Sequence, residues 1–183
     1  MKIKTIKITN FKSLKDTVEI STPQICALIG PNNSGKSNIL NAIYKVLGKD
    51  WVTVTNFDEE DVYGKEPERD IDIEIEFEEP YWYYAFKGTD PSSISKIKFT
   101  YTRYKIGEYK GQRRLEKNCL TNFNKPVQIL AEKPKAGTAH KYRPLTTIPQ
   151  EMQESIPVIY IGTDRNLKNQ LPSARNSLYW ELC

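Results

Sequence analysis

A glycine, four residues and then Gly35-Lys36-Ser37 form the stretch GPNNSGKS, Gly30 to Ser37, and no other stretch narrows the fold as far. A backbone that curls around a chain of phosphates needs glycines at 30 and 35, for unusual angles and close approach. The amides from Asn33 to Ser37 then point inward and donate to phosphate oxygens. Such a loop belongs between a strand and a helix, and both flanks fit. QICALIG, residues 24–30, is a short, continuously apolar run that suits a strand buried on both faces. SNILNAIYKVL then places Ile39, Leu40, Ile43, Val46 and Leu47 on one helical stripe, with Gly48 as the C-terminal cap. The helix, starting near Lys36, adds its positive dipole end. Gly30, Asn32, Asn33, Ser34, Gly35, Lys36, Ser37 and Asn38 are therefore the expected nucleotide-binding residues. Lys36 serves the outer phosphates, and the Ser37 hydroxyl is a ligand for magnesium.

The remaining pattern is mostly β. IKTIKITNF and TVEI read as a hairpin ahead of the loop, turned by FKSLKD. In DIDIEIEFEE, Ile71, Ile73, Ile75 and Phe77 point one way while Asp72, Glu74 and Glu76 point the other. That is a half-exposed, antiparallel strand. SKIKFTYTRY repeats the alternation, and IGEYKGQRRLEK brings two glycines and a further hairpin. VQILA is a short strand, and KPKAGTAHKYRPLTTIPQ is a long loop rich in Pro, Gly and Thr. IPVIYIG returns to a buried-strand pattern, and PSARNSLYWEL opens a helix at Pro172 and Ser173. The chain stops inside that helix pattern, as a truncated lobe would. The expected organisation is one lobe over 1–183. Its hairpin, phosphate-loop strand and helix fill 1–56, its antiparallel β-rich portion 57–150, and its return strand and helix start 151–183.

Composition excludes other classes. Charged residues are 27% of the 183 and no apolar run could span a bilayer, so a cytoplasmic protein without membrane contact is expected. Cys26, Cys119 and Cys183 are far apart, which argues against a disulfide framework or a zinc site. The single histidine, His140, argues against a histidine metal site or a Ser/His triad. Charge is blocked: Asp58 to Glu79 carries a net −10, and Lys87 to Lys117 a net +6. Two solvated sheet faces of opposite sign would explain this; a polyanionic partner on the basic side is the alternative. Arg113 and Arg114, at a hairpin tip, are the candidates for DNA phosphate contact.

Guanine-reading marks are missing: NKPV at Asn124 lacks the aspartate of NKxD, which favours adenine. IKITNFKSLKD followed by LIGPNNSGKSNILNAI resembles the start of ABC-type ATPases of the SMC and RecF-like group. PVIYIGTDRNLKNQLPSARNSLYWEL resembles a segment of the overcoming-lysogenisation-defect (OLD) family. The resemblance implies a P-loop NTPase α/β fold. It takes the form of an ABC-type head lobe with a mixed sheet, an added antiparallel portion and few helices. It implies ATP and Mg2+ as cofactors, with a second ATPase lobe, a second head and DNA as partners. The full proteins would act in phage defence or DNA repair, some with a C-terminal nuclease. The acidic strand, Ser-Gly signature and switch histidine of such heads are absent from this sequence, so no complete catalytic site is expected here.

Other candidates carry competing readings. The resemblance places Lys12 near the phosphates; the alternative is a surface lysine in a turn. Asn10 and Ser13 are weaker candidates. Asp164 and Arg165 follow the last strand, where α/β sheets bind ligands, or else they pair at a helix start. Gln170 is a candidate for sensing magnesium and attacking water. Asp58 to Asp61, DEED, reads as a solvated loop rather than a metal cluster. YWYYAF reads as aromatics covering a sheet rather than a base-stacking platform. Two other functions stay open. One is a stand-alone small nucleotide kinase using Asp164 and Arg165. The other is a module that binds ATP only for assembly.

Overall fold

The computed structural model describes residues 1–48, 52–134 and 138–156. Strands β1 (Ile3–Thr9) and β2 (Val18–Ser21) form the expected hairpin. Strands β3 (Ile71–Tyr83), β4 (Ser92–Arg103) and β5 (Arg113–Leu120) follow as an antiparallel meander. β1 pairs antiparallel with β3, which gives one five-stranded sheet in the order β2-β1-β3-β4-β5. β6 (Gln128–Leu130) and β7 (Tyr142–Pro144) make a small second sheet, and β7 lies in the stretch read from sequence as loop. Helix α1 (Lys36–Leu47) follows the phosphate loop and ends at Gly48, whose N–H donates to the Tyr44 carbonyl. A short helix α2 (Gln150–Glu154) closes the described chain.

The alternation in β3 has its physical cause in the core. Ile71, Ile73, Ile75 and Phe77 are almost fully buried. They join Ile6 and Ile8 of β1, Ile97 and Phe99 of β4, and Ile39, Ala42, Val46 and Leu47 of α1 in one hydrophobic cluster. Each buried Ile contributes about 1.5–3 kcal/mol. Phe57 stacks on Tyr101 at 5.3 Å, which holds the 3-10 turns of 54–65 over the same face. Leu40 departs from the expected stripe: it lies 46% exposed beside Tyr44. Cys119 is fully buried, and burial pushes its thiol pKa up to about 12.

The opposite face corrects the charge reading. The acidic and basic blocks are neighbouring strands of one face, paired across the ladder. Glu76 of β3 takes Lys4 at 2.6 Å and Lys96 at 3.3 Å. Asp72 takes Lys98 at 3.0 Å and the Thr100 hydroxyl at 2.6 Å. Lys96 and Lys98 of the basic block are thus balanced within the sheet, as cross-strand pairing favours.

A second correction concerns residues 24–30. They form no strand, and Ile25 and Ile29 are 89% and 93% exposed. A strand buried on both faces needs ladder neighbours on both sides. No described strand runs beside this segment. The predicted strand at 156–162, from its second residue on, and Asp164, Arg165, Gln170 and the helix from Pro172, lie outside the described residues.

The ion pairs set an acid limb to stability. Hydrogen bonding from Lys4, with Lys96 adding, holds the Glu76 carboxyl below its usual pKa. Arg113 does the same to Glu59. A lowered folded pKa contributes stability above the unfolded carboxylate value of about 4.3 and loses it as pH falls further. Denaturant unfolding should therefore show stability flat from pH 6 to 8 and falling below about pH 4.5. A Glu59→Gln/Glu76→Gln double variant should flatten that fall; an unchanged acid limb would remove these pairs from the explanation.

Candidate phosphate-binding site

The loop is bounded by two left-handed residues, Asn33 at φ 66° and Gly35 at φ 90°. Between them the chain turns back on itself, with the Ser34 amide donating to the Pro31 carbonyl at 3.3 Å. Gly35 caps α1, and its carbonyl accepts from the amides of Asn38 and Ile39, both at 3.0 Å. A side chain at 35 has no room. A β-carbon there would sit 2.9 Å from Leu14 Cδ2 and 3.2 Å from Ser13 Oγ.

Lys36 reaches back over the loop. Its Nζ donates to the carbonyls of Gly30 at 2.8 Å and Pro31 at 2.6 Å, and to Ser34 Oγ at 3.2 Å. The ammonium thus stands inside the curl, where an anion's oxygens would meet it. Ser37 is exposed in the first turn of α1, one position beyond the lysine. Asn38 Nδ2 donates to Ser13 Oγ at 2.8 Å, tying α1 to the β1–β2 turn.

That turn is held tightly. Phe11 is fully buried and bridges to both Leu14 and Val62. Asn10 and Lys12 adopt positive φ, at 56° and 50°. Asn10 Nδ2 donates to the Asp70 carbonyl at 3.0 Å, so this side chain is structural. The Lys12 amide donates to the Asp61 carbonyl at 2.7 Å, and its Nζ lies 3.6 Å from Asp61 Oδ1. Lys12 is thus anchored to Asp61 through both its amide and its ammonium.

Asp61 is the centre that the sequence did not disclose. It is 2% exposed, and its carboxylate takes Lys45 Nζ at 2.6 Å and the Asp58 amide at 3.1 Å. Lys45 also donates to the Asn56 carbonyl at 2.6 Å. In DEED, Asp58, Glu59 and Glu60 are exposed, and only Asp61 departs from the solvated reading by being buried. Asp58 and Asp61 close a capping box on a 3-10 turn, Glu59 pairs with Arg113, and Glu60 pairs with Lys65. The Asp-x-x-Asp spacing before Val62 was the available signal. Beside α1 this frame leaves an open depression of about 740 Å³, bordered by Lys12, Ser13, Asn41, Lys45, Val62 and Gly64.

Arg113 and Arg114 point to different faces. Both guanidinium nitrogens Nε and Nη2 of Arg113 engage Glu59, at 2.8 and 2.7 Å, and the group lies over the Tyr101 ring. Arg114 stacks over Tyr104 and pairs with Glu116. Among the described residues no group of three or more His, Cys, Asp or Glu could hold a metal ion.

The profile of the AAA ATPase domain family matches residues 1–174, nearly the whole chain. The chain belongs to the AAA ATPase domain family. Relatives of this AAA ATPase domain extend the reading made from its motifs. It is 27% identical to the OLD nuclease of Thermus scotoductus over 98% of its own length and 30% of that protein. It is 51% identical to the chromosome partition protein Smc of Clostridium kluyveri over 28% of its length and 4% of that protein. An ATP/GTP phosphatase of Helicobacter pylori is 39% identical over 30% of this chain and 15% of its own length. The domain therefore spans under a third of each of these relatives. ABC-type SMC/RecF-like ATPases are its kin, and it has the α/β, helix-poor architecture of a P-loop NTPase head. Among the described residues no helix is long and apolar enough to cross a membrane.

Proposed function

We propose that this chain is the ATP-binding lobe of an ABC-type ATPase that couples ATP to DNA processing. The observation that carries the reading is an asymmetry. The antiparallel half of the domain is closed and paired, while the phosphate-loop side is open. Ile25 and Ile29 stand in solvent next to the loop, and Leu40 and Tyr44 are uncovered on α1. An apolar segment without ladder partners among the described residues, joined to a formed phosphate loop, fits one lobe of a head whose other lobe brings further strands. Residues 24–30 are the surface that lobe would cover.

In this reading the loop amides and Lys36 hold the β- and γ-phosphates of ATP. Binding exchanges the lysine's contacts with the Gly30 and Pro31 carbonyls for phosphate oxygens. Ser37 has the exposed hydroxyl that suits magnesium, which would share its shell with the phosphates and neutralise their charge. The kinship with an OLD nuclease and with Smc supports DNA as the substrate of the whole protein. Its place would be phage defence or DNA repair in the cytoplasm, with two heads closing on ATP.

The test is ATP binding and steady-state hydrolysis by the purified chain with magnesium, beside Lys36→Ala. The expected result is binding lost by at least tenfold in Lys36→Ala, with negligible turnover in either protein. Turnover that disappears in Lys36→Ala would replace this reading with a self-sufficient nucleotide kinase or hydrolase.

A further inference from the structure

The phosphate loop lies at one end of the sheet, near the pairing of Thr9 with Asp72. At the other end, β3 runs on past Phe77 into Tyr81, Trp82 and Tyr83, and Tyr84 follows it. Sequence reasoning assigns this aromatic run to sheet cover, and half of it behaves so. Tyr81 and Tyr83 pack against the core. Trp82 and Tyr84 do not: they are 56% and 57% exposed. They help line a groove of about 890 Å³ between the end of β3 and helix α2, with Glu151 and Glu154 on the helix side.

The groove's charge is the second observation. Among the described residues its carboxylates, Glu151 and Glu154, accept from neutral donors, Tyr81 Oη at 3.3 Å and Gln150 Nε2 at 2.7 Å. Neither has a basic side chain within ion-pair distance among the described residues, and Lys87 is the one base lining the groove. Along β3 and β4 and around Glu59, by contrast, the carboxylates Glu76, Asp72 and Glu59 are paired with lysines or arginines. Exposed aromatic faces beside unmatched carboxylates are the elements that recognise a guanidinium. The aromatic face attracts its charge and plane, and the carboxylate accepts its paired N–H groups.

We propose that this groove binds an extended, arginine-bearing segment of a partner protein. The volume suits a few side chains. A nucleic acid strand would also stack on Trp82 and Tyr84, but its phosphates would face two carboxylates against one lysine, which disfavours it. The surface lies at the sheet end away from the phosphate loop. A partner held there leaves the nucleotide site free.

The experiment titrates the whole 183-residue chain, without nucleotide, into three fluorescein-labelled probes. These are a short Gly-Ser peptide carrying arginines, the same peptide with citrulline in their place, and a single-stranded oligothymidylate. The expected result is binding of the arginine peptide, weaker by about tenfold or more for citrulline. Trp82→Ala and the Glu151→Gln/Glu154→Gln pair should each weaken it by roughly five- to tenfold. These side chains are exposed, and the glutamine pair keeps the packing, so folding is preserved. Four results overturn the proposal. They are no binding of the arginine peptide, equal binding of the citrulline peptide, binding that survives both sets of variants, and preference for the oligonucleotide. The last would assign the aromatics to base stacking.

Discussion

Asp61→Ala should lower the unfolding free energy by about 3 kcal/mol, the range found when one member of a buried ion pair is removed. Lys45 would keep a charge with only 19% of its side chain exposed and no carboxylate at 2.6 Å. The 3-10 turn would lose half of its capping box, and Lys12 its electrostatic anchor. The loss propagates because three separate segments meet on this one carboxylate. Lys45→Met on the Asp61→Ala background should recover part of the loss, since it removes the stranded charge. Chemical denaturation of the parent and the two variants checks both statements. An Asp61→Ala protein as stable as the parent would mean that solvent, not Asp61, satisfies Lys45.

Gly35→Ala should cost about 2 kcal/mol in stability through backbone strain at its positive φ. It should weaken ATP binding by more than tenfold. The new methyl would press on Leu14, which is only 7% exposed and belongs to the core cluster, so the loop must yield instead. Any retreat of the loop carries the amides of Asn33 to Ser37 off the phosphates. Calorimetric titration with ATP, beside a thermal melt, separates the two effects. Unaltered affinity would show that the cradle tolerates a different backbone path.

Particular residues show where sequence reasoning succeeds. The turn at Gly35 and the helix that starts at Lys36 were legible because backbone angle and apolar spacing dictate them locally. β1, β3 and β4 were legible because period two says which side chains face inward. Period two does not say which strand lies alongside. The charge blocks therefore looked like separate surfaces until the pairing of Glu74 with Lys98 and of Glu76 with Lys96 placed them side by side. Asp61 was hidden for the same reason: its partner Lys45 lies 16 positions away, across the core. β7 was hidden because three residues in a Pro- and Thr-rich stretch carry no periodicity. Residues 24–30 have strand composition, but a strand exists only when neighbours complete its ladder.

The pairing of β1 with β3 has a mechanical consequence. These strands are adjacent in the sheet, yet the chain between them makes the whole excursion through the phosphate loop, α1 and the 3-10 turns. The excursion is stapled at its base by the ladder from Ile3–Phe77 to Thr9–Asp72. Apart from β2, which is laddered to β1, the described residues of the excursion add no rung to this sheet. The antiparallel half acts as a fixed chassis, and the nucleotide end as a mounted jaw.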